Sequence, residues 1–484
     1  MAGIGFALRD LMRRDSLWSM VESQLHGVVV VAGPWFFTIL AMALPSMLFR
    51  SMAAEAAISE FVTLLLYVFS TSLTITGPIV MGLTRHTSDR LFERRTEAVA
   101  GPFVGAALLS LLCGVPVIVV AALFLRLPSA TIVGAAIAYG LVTLSWIAAP
   151  MLSTLRSFRV LTAAFALGTA AFGATLIGRE DVTAGDLLLG FNLGMAVTVS
   201  TLCGLLLRSF PGPVEPLFAV VQTMRQTWDL TLGGLCYGVG IWIDKWVMWS
   251  APEHVELAGG LSAYPTYDTV AFLAYITTVP AFALFVIKAE TALHDRCQDL
   301  YGNIVRHASR TRLELSRAAV VRTVLDTGRD VAMLQLGVTA LVLLMPTLVL
   351  DLLRVPHGGV FMFRFCALGA AFQSAMLMLT VVLHYFDSRR SVLLVHATFA
   401  IANGLCTAWT LQAGLPTYGL GYFLASLFGF VVAYIVVSRS LQDLLYLAFV
   451  RQNATLARGG PSAPPPPAYF EARTSPGPLD ATPR

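Results

Sequence analysis

The feature that most constrains this chain is a succession of apolar runs, each about 20 residues long. That is the length a helix needs to cross the hydrocarbon core of a bilayer. Twelve such runs stand in the sequence: Leu25–Phe49, Ser59–Leu83, Gly101–Leu125, Ala130–Leu152, Phe158–Gly178, Asp186–Leu207, Trp228–Ser250, Thr266–Ile287, Val331–Leu353, Val360–His384, Val392–Leu411 and Pro416–Val437. The chain of 484 residues is 57% hydrophobic and only 12% charged. A soluble domain carries roughly 25% charged residues. So much apolar side chain cannot be buried in one water-soluble core, and the lipid must take the rest.

The basic residues test the count. With the N-terminus in the cytoplasm and alternating spans, nearly all of the 32 Lys and Arg fall on cytoplasmic segments. Only Arg50, Arg126, Arg179, Arg354 and Arg364 fall outside, and Lys245 lies within a span. This is the bias that orients membrane helices, and a miscounted helix would blur it. The expectation is an all-α integral membrane protein with both termini cytoplasmic. The apolar stretch after Arg9, Arg13 and Arg14 is too long for a signal peptide and reads as the first span.

The runs divide into residues 1–208 and 228–450, six spans each, joined by a polar link at 209–227. Two six-span groups suggest duplication as parallel repeats. The longest connection, 289–330, is cytoplasmic, charged and free of Pro, which predicts a helical hairpin or amphipathic helix. Residues 451–484, with Pro464–Pro467, read as a disordered cytoplasmic tail.

Charge inside a span costs about 2.5–3.5 kcal/mol near the helix centre on insertion scales, so such residues face a cavity or a partner. Asp244 and Lys245 are the clearest case. Adjacent helical residues point about 100° apart, which predicts that each finds its own partner on another helix or in a polar path. Trp242, Trp246 and Trp249 form one helical stripe, fitting either a sugar-stacking path or an interfacial aromatic belt. Glu22 and His26 share a face near the inner end of the first span, where Gly33-Pro34 can bend the helix: a gate or an interfacial pair. Tyr267 and Asp268 open the eighth span at its outer end, and Pro280 can bend it. Lys288 and Glu290 close its inner end, as a cytoplasmic gate or docking point or as side chains snorkelling to water. Arg85 and Asp89, one turn apart, are a gate latch or a solvated pair.

The sequence offers no Walker loop, G-x-S-x-G elbow or H-E-x-x-H, so the reading is a transporter and not an enzyme. Six cysteines without CxxC spacing read as buried thiols, and the pattern calls for no metal or cofactor. Basic tracts for nucleic acid are absent.

Several short motifs stand in order along the chain. They are Met1-Ala-Gly-Ile-Gly-Phe6 with Leu8-Arg9 and Arg14-Asp15; Ala32-Gly33-Pro34-Trp35; Trp242-Ile243-Asp244-Lys245-Trp246; Pro280 through Lys288-Ala-Glu290-Thr291; Tyr385-Phe386-Asp387 with Arg389; and Tyr418-Gly-Leu-Gly-Tyr422. In these the chain resembles the Pel exopolysaccharide transporter family, of the superfamily of polysaccharide flippases and multidrug antiporters (MATE-like). The resemblance implies two six-helix lobes around a central cavity with alternating access, and a bacterial inner-membrane location with a role in biofilm polymer export. It implies a substrate rich in N-acetylgalactosamine and N-acetylglucosamine. The partners it implies are a cytoplasmic glycosyltransferase and two inner-membrane regulatory subunits, one binding cyclic di-GMP. Two rival readings stand beside it: an ion-coupled flippase for lipid-linked oligosaccharides or drugs, and a membrane scaffold for a polysaccharide synthase.

Overall fold

The computed structural model describes residues 40–49, 51–154, 158–211, 216–347, 350, 359–447 and 449. Glu22, His26, most of the first expected span and the tail from Arg451 lie outside the described residues. Within them the protein is nearly all helix. Residues 40–48 end the first apolar run in helical form. There follow α1 (Met52–Phe92), α2 (Ala100–Phe124), α3 (Ser129–Thr154), α4 (Phe158–Leu176), α5 (Ala184–Ser209) and the short α6 (Ala219–Gln226). Next come α7 (Trp228–Met248), strands β1 (Val255–Leu257) and β2 (Leu261–Ala263), α8 (Pro265–Ile276), α9 (Val279–Lys288), α10 (His294–Val305), α11 (Arg310–Leu344), α12 (Gly359–Tyr385), α13 (Arg389–Ala413) and α14 (Leu420–Gln442). Among the described residues, nine helical stretches are long and apolar enough to cross a membrane, with α4 a shorter apolar helix beside them.

Local chemistry sets the ends. The Ser51 hydroxyl accepts from the Ala54 N–H at the start of α1. Thr183 and Asp186 form a reciprocal capping box on α5. The eighth apolar run is two helices rather than one. Pro280 has no N–H to continue the ladder, and the chain turns at Thr277-Thr278. The Thr277 and Thr278 hydroxyls donate to the carbonyls of Ala274 (2.7 Å) and Tyr275 (2.8 Å), adding to the bonds that these carbonyls already accept from the Thr277 and Thr278 N–H groups and keeping the hydroxyls satisfied within the helix. The connection 289–330 is helical throughout, apart from a turn at 306–309. A wide i→i+5 turn at Ala289–Leu293 leads into α10, and α11 begins 21 residues before the apolar run it continues into. It is the hairpin its composition suggests.

Contacts fix how the helices run. His396 Nδ1 lies 3.1 Å from the Gly233 carbonyl, and the Asn403 amide donates to the Gly240 carbonyl at 2.9 Å. The sequence separation is 163 in both, so α7 and α13 are parallel. The helices α1 to α5 enclose two apolar cores, one around Phe61, Phe172 and Phe191 and one around Leu83, Met151 and Leu202. Those from α7 onward enclose a core around Tyr267, Phe363, Phe399 and Tyr422. The two sets meet chiefly where α1 packs on α7. At that crossing a Cβ on Gly77 would fall 2.8 Å from the Gly234 carbonyl oxygen, and one on Gly234 as close to that of Gly77. Glycine, with no side chain, lets these backbones approach so closely.

Candidate functional site

Asp244 and Lys245 of α7 sit at the centre of a buried polar cluster. Asp244 is 0% exposed and Lys245 6%. Contrary to the angular argument from sequence, the two pair with each other: Lys245 Nζ lies 3.1 Å from Asp244 Oδ2. The four-carbon Lys stem is long enough to fold back along the helix, and its ammonium also donates to the Ile241 carbonyl at 3.2 Å. The separation of Cβ directions does not bind a chain of that reach. Partners on other helices are added to the pair. The Tyr267 hydroxyl on α8 donates to Asp244 Oδ2 at 3.0 Å, and the Asn403 amide on α13 approaches Oδ1 at 3.4 Å. Lys245 Nζ lies 5.2 Å from the Tyr275 ring centroid and 5.5 Å from that of Trp242, within reach of cation–π attraction. Tyr422 stands edge-on to Tyr275 and donates its hydroxyl to Gln373 on α12.

Asp268, one residue after Tyr267, is also buried and accepts the Trp249 indole N–H at 3.1 Å. Trp249 therefore does not stand in a lipid-facing aromatic belt. It is 6% exposed, bonded to Asp268 and stacked on Tyr67 of α1 at 4.4 Å. Its place just past the end of α7 turns it toward α1 and α8. Trp246 packs against the same core. A charge pair in such surroundings has little water to relax it, so its hydrogen bonds and π faces must carry the desolvation cost.

The other sequence-singled residues lie at the ends of helices. Arg85 and Asp89 pair along α1 at 3.2 Å, and Arg85 also reaches Asp387, between α12 and α13, at 3.3 Å. Asp387 is in turn 3.5 Å from Arg389, which is 3.9 Å from Asp229 of α7. Lys288 does not snorkel freely, for it is paired with Asp330 on α11. Glu290 is 3% exposed on the wide turn, so a solvated carboxylate is not what the fold makes of it. That turn is also held by the Tyr385 hydroxyl donating to the Ala289 carbonyl. The structure thus brings Asp244, Lys245, Trp242, Tyr267 and Asp268 together, and leaves Arg85–Asp89 and Lys288–Glu290 in two other places.

Sequence reading missed Asn403, Tyr275 and Tyr67, and placed Tyr422 only in a short motif with no part in a site. The three missed are lone polar or aromatic residues on different helices, with no local spacing to mark them. The one available signal was the buried-face recurrence of His396, Asn403, Thr407 and Thr410 along α13. The six cysteines are all free, but only Cys297 and Cys366 are buried and Cys113 is exposed, contrary to the expectation of six buried thiols.

The architecture is that of MATE-type transporters. It matches an outward-facing multidrug resistance MATE transporter of the MOP superfamily with a TM-score of 0.60 at 13% identity, over 87% of this chain and 95% of that one. A MOP superfamily transporter from Pyrococcus furiosus matches with a TM-score of 0.55 at 14% identity, over 87% and 95% of the two chains. An inward-facing MATE transporter gives 0.52 at 15% identity, over 86% and 95%. Such identities establish a shared fold and nothing narrower. No curated protein matches the chain in sequence. The model of one family, described as "PelG: Putative exopolysaccharide Exporter (EPS-E)", matches residues 1–449. With nearly the whole chain inside that match and a transporter fold beneath it, this multi-pass membrane protein is a transporter, not an enzyme, and belongs to the PelG family of exopolysaccharide exporters.

Proposed function

We propose that the chain moves a Pel-like polymer, rich in N-acetylgalactosamine and N-acetylglucosamine, from the cytoplasm to the periplasm across the bacterial inner membrane. Twelve spans, with both termini cytoplasmic, form two six-helix lobes, and the polymer passes between them. A cytoplasmic glycosyltransferase feeds the path at the basic inner segments, Arg85–Arg95 and Arg296–Arg329, with inner-membrane regulatory subunits beside it. Asp244 and Lys245 supply the polar contact along the way. The observation that carries this reading is the family match over residues 1–449, on a fold shared with MATE transporters.

The test is where the polymer accumulates. Cells holding the rest of a Pel-type synthase but lacking this chain should secrete no polymer, and the wild-type chain should restore secretion. Undiminished secretion without it contradicts the reading. A second reading, an ion-coupled flippase of lipid-linked oligosaccharides, draws on the carboxylates of Asp244 and Asp268 buried among the helices. It predicts uptake in proteoliposomes that collapses with the ion gradient and needs no synthase.

A further inference from the structure

We propose that the hairpin formed by β1 and β2 is an outer clasp between the two sets of helices, and that Tyr67 and Trp249 tie its release to the buried charge cluster. This rests on the reading above, in which polymer passes between the lobes to the periplasm, so that they must part at the outer face.

The hairpin belongs by its base to the C-terminal helices. It follows α7 and precedes α8, and Leu261 and Ala263 of β2 are buried at 0% and 1% exposure. Just before β1, Glu253 accepts the Tyr418 hydroxyl at 2.8 Å, which fixes that base to the segment leading into α14. Its tip touches the other set. The Arg126 N–H, on the connection between α2 and α3, donates to the Gly259 carbonyl at 2.9 Å. The Tyr67 hydroxyl of α1 donates to the Ser262 carbonyl, also at 2.9 Å. Both acceptors are main-chain oxygens, so the contact depends on the shape of the hairpin more than on its side chains. Gly259 has φ +78°, which favours glycine, and a Cβ there would lie 2.5 Å from Leu127 Cδ2. The tip is seated against the α2–α3 connection with no room to spare. Two hydrogen bonds and one close packing contact, at an edge where Arg126 and Glu256 are exposed, form a junction that water can replace when it opens.

Tyr67 has a second role. Its ring stacks on Trp249 with the planes 22° apart, and Trp249 holds the Asp268 carboxylate. Asp268 is next in the chain to Tyr267, whose hydroxyl holds Asp244. One turn of α8 therefore carries both the acceptor for Trp249 and the donor to the Asp244–Lys245 pair. When α1 withdraws, Tyr67 leaves the hairpin and Trp249 in the same movement. Trp249 loses the face that fixes its indole, and the turn that restrains Asp244 is loosened. Opening at the outer face and rearrangement of the buried charges then become one event. Trp249 acts here as a positioning residue, through Asp268.

Two measurements test this. In a chain whose native cysteines are replaced by alanine, Arg126→Cys and Glu256→Cys are joined by a reducible bifunctional thiol reagent, and labelled polymer export is measured in cells with the full synthase. Cross-linking should lower export at least tenfold, and reduction should restore it. Full export by the cross-linked pair overturns the clasp. Absence of export by the wild-type chain overturns the transport reading and the clasp with it. Separately, in purified protein, Tyr67→Phe keeps the stacked ring and removes the bond to Ser262. It should at least double the rate at which Ser262→Cys reacts with a bulky polar maleimide, and an unchanged rate also overturns the clasp.

Discussion

The ammonium of Lys245 lies 3.1 Å from the carboxylate of Asp244, the residue immediately before it on the same helix. Both are buried, and the donors from Tyr267 and Asn403 converge on the carboxylate, not the ammonium. Removing one charge leaves the other stranded in a low-dielectric interior, which costs about 3–5 kcal/mol. Lys245→Met alone and Asp244→Asn alone should each destabilise the protein by that order, read as the shift in thermal unfolding in lipid nanodiscs. The double variant should recover much of the loss. Strict additivity of the two would show that the pair does not act as a unit.

Tyr267 contributes one donor to a buried carboxylate. Tyr267→Phe keeps the ring in the core and removes that bond, at an expected cost of about 1–2 kcal/mol. The same unfolding measurement checks it. In the Asp244→Asn background the cost should shrink, because the acceptor is no longer charged.

At the crossing of α1 and α7, a side chain on Gly234 would meet main-chain oxygen. The neighbour is backbone and cannot rotate away. Gly234→Leu should therefore force the helices apart, weaken the protein by several kcal/mol and abolish export, whereas Gly204→Ala, where a Cβ meets nothing within 4 Å, should be silent. Proteolysis in membranes at rising temperature separates these outcomes.

The Arg85–Asp387 pair is partly exposed, with side chains 28% and 45% accessible. Such pairs contribute about 0–1 kcal/mol. Arg85→Ala should leave unfolding within that margin. If it lowers export nonetheless, Arg85 acts on the path or on a docked partner and not on stability, and cell-surface polymer measured beside the unfolding temperature distinguishes the two.

The membrane architecture was legible because bilayer thickness imposes a length on apolar runs. The runs at 101–125, 130–152 and 392–411 coincide with α2, α3 and α13 to within a few residues. Helix ends beyond the lipid were less so. The continuation of α11 back to Arg310, and of the eighth run out to Val305, rests on helix-permissive charged sequence that has no bilayer to bound it. At the site, Asp244 and Lys245 stood out through the cost of charge in an apolar run. Their mutual pairing did not, because a rule about Cβ directions ignores how far a Lys side chain reaches. The aromatic belt fails for Trp249 for a related reason. A stripe of Trp residues names a helix face, and only the packing of α1 and α8 decides whether that face meets lipid or protein. Asn403 and Tyr275 come from distant helices and acquire meaning only when the fold assembles.

Inverted membrane vesicles report directly on whether this chain carries polymer across the membrane. With the glycosyltransferase and labelled nucleotide sugar outside, polymer should enter the lumen and resist added glycosidase only when the chain is present. Protection should fall at least tenfold with Asp244→Asn at equal protein level. Polymer that stays fully digestible with the wild-type chain, or that is protected equally without it, would mean that the chain does not carry it.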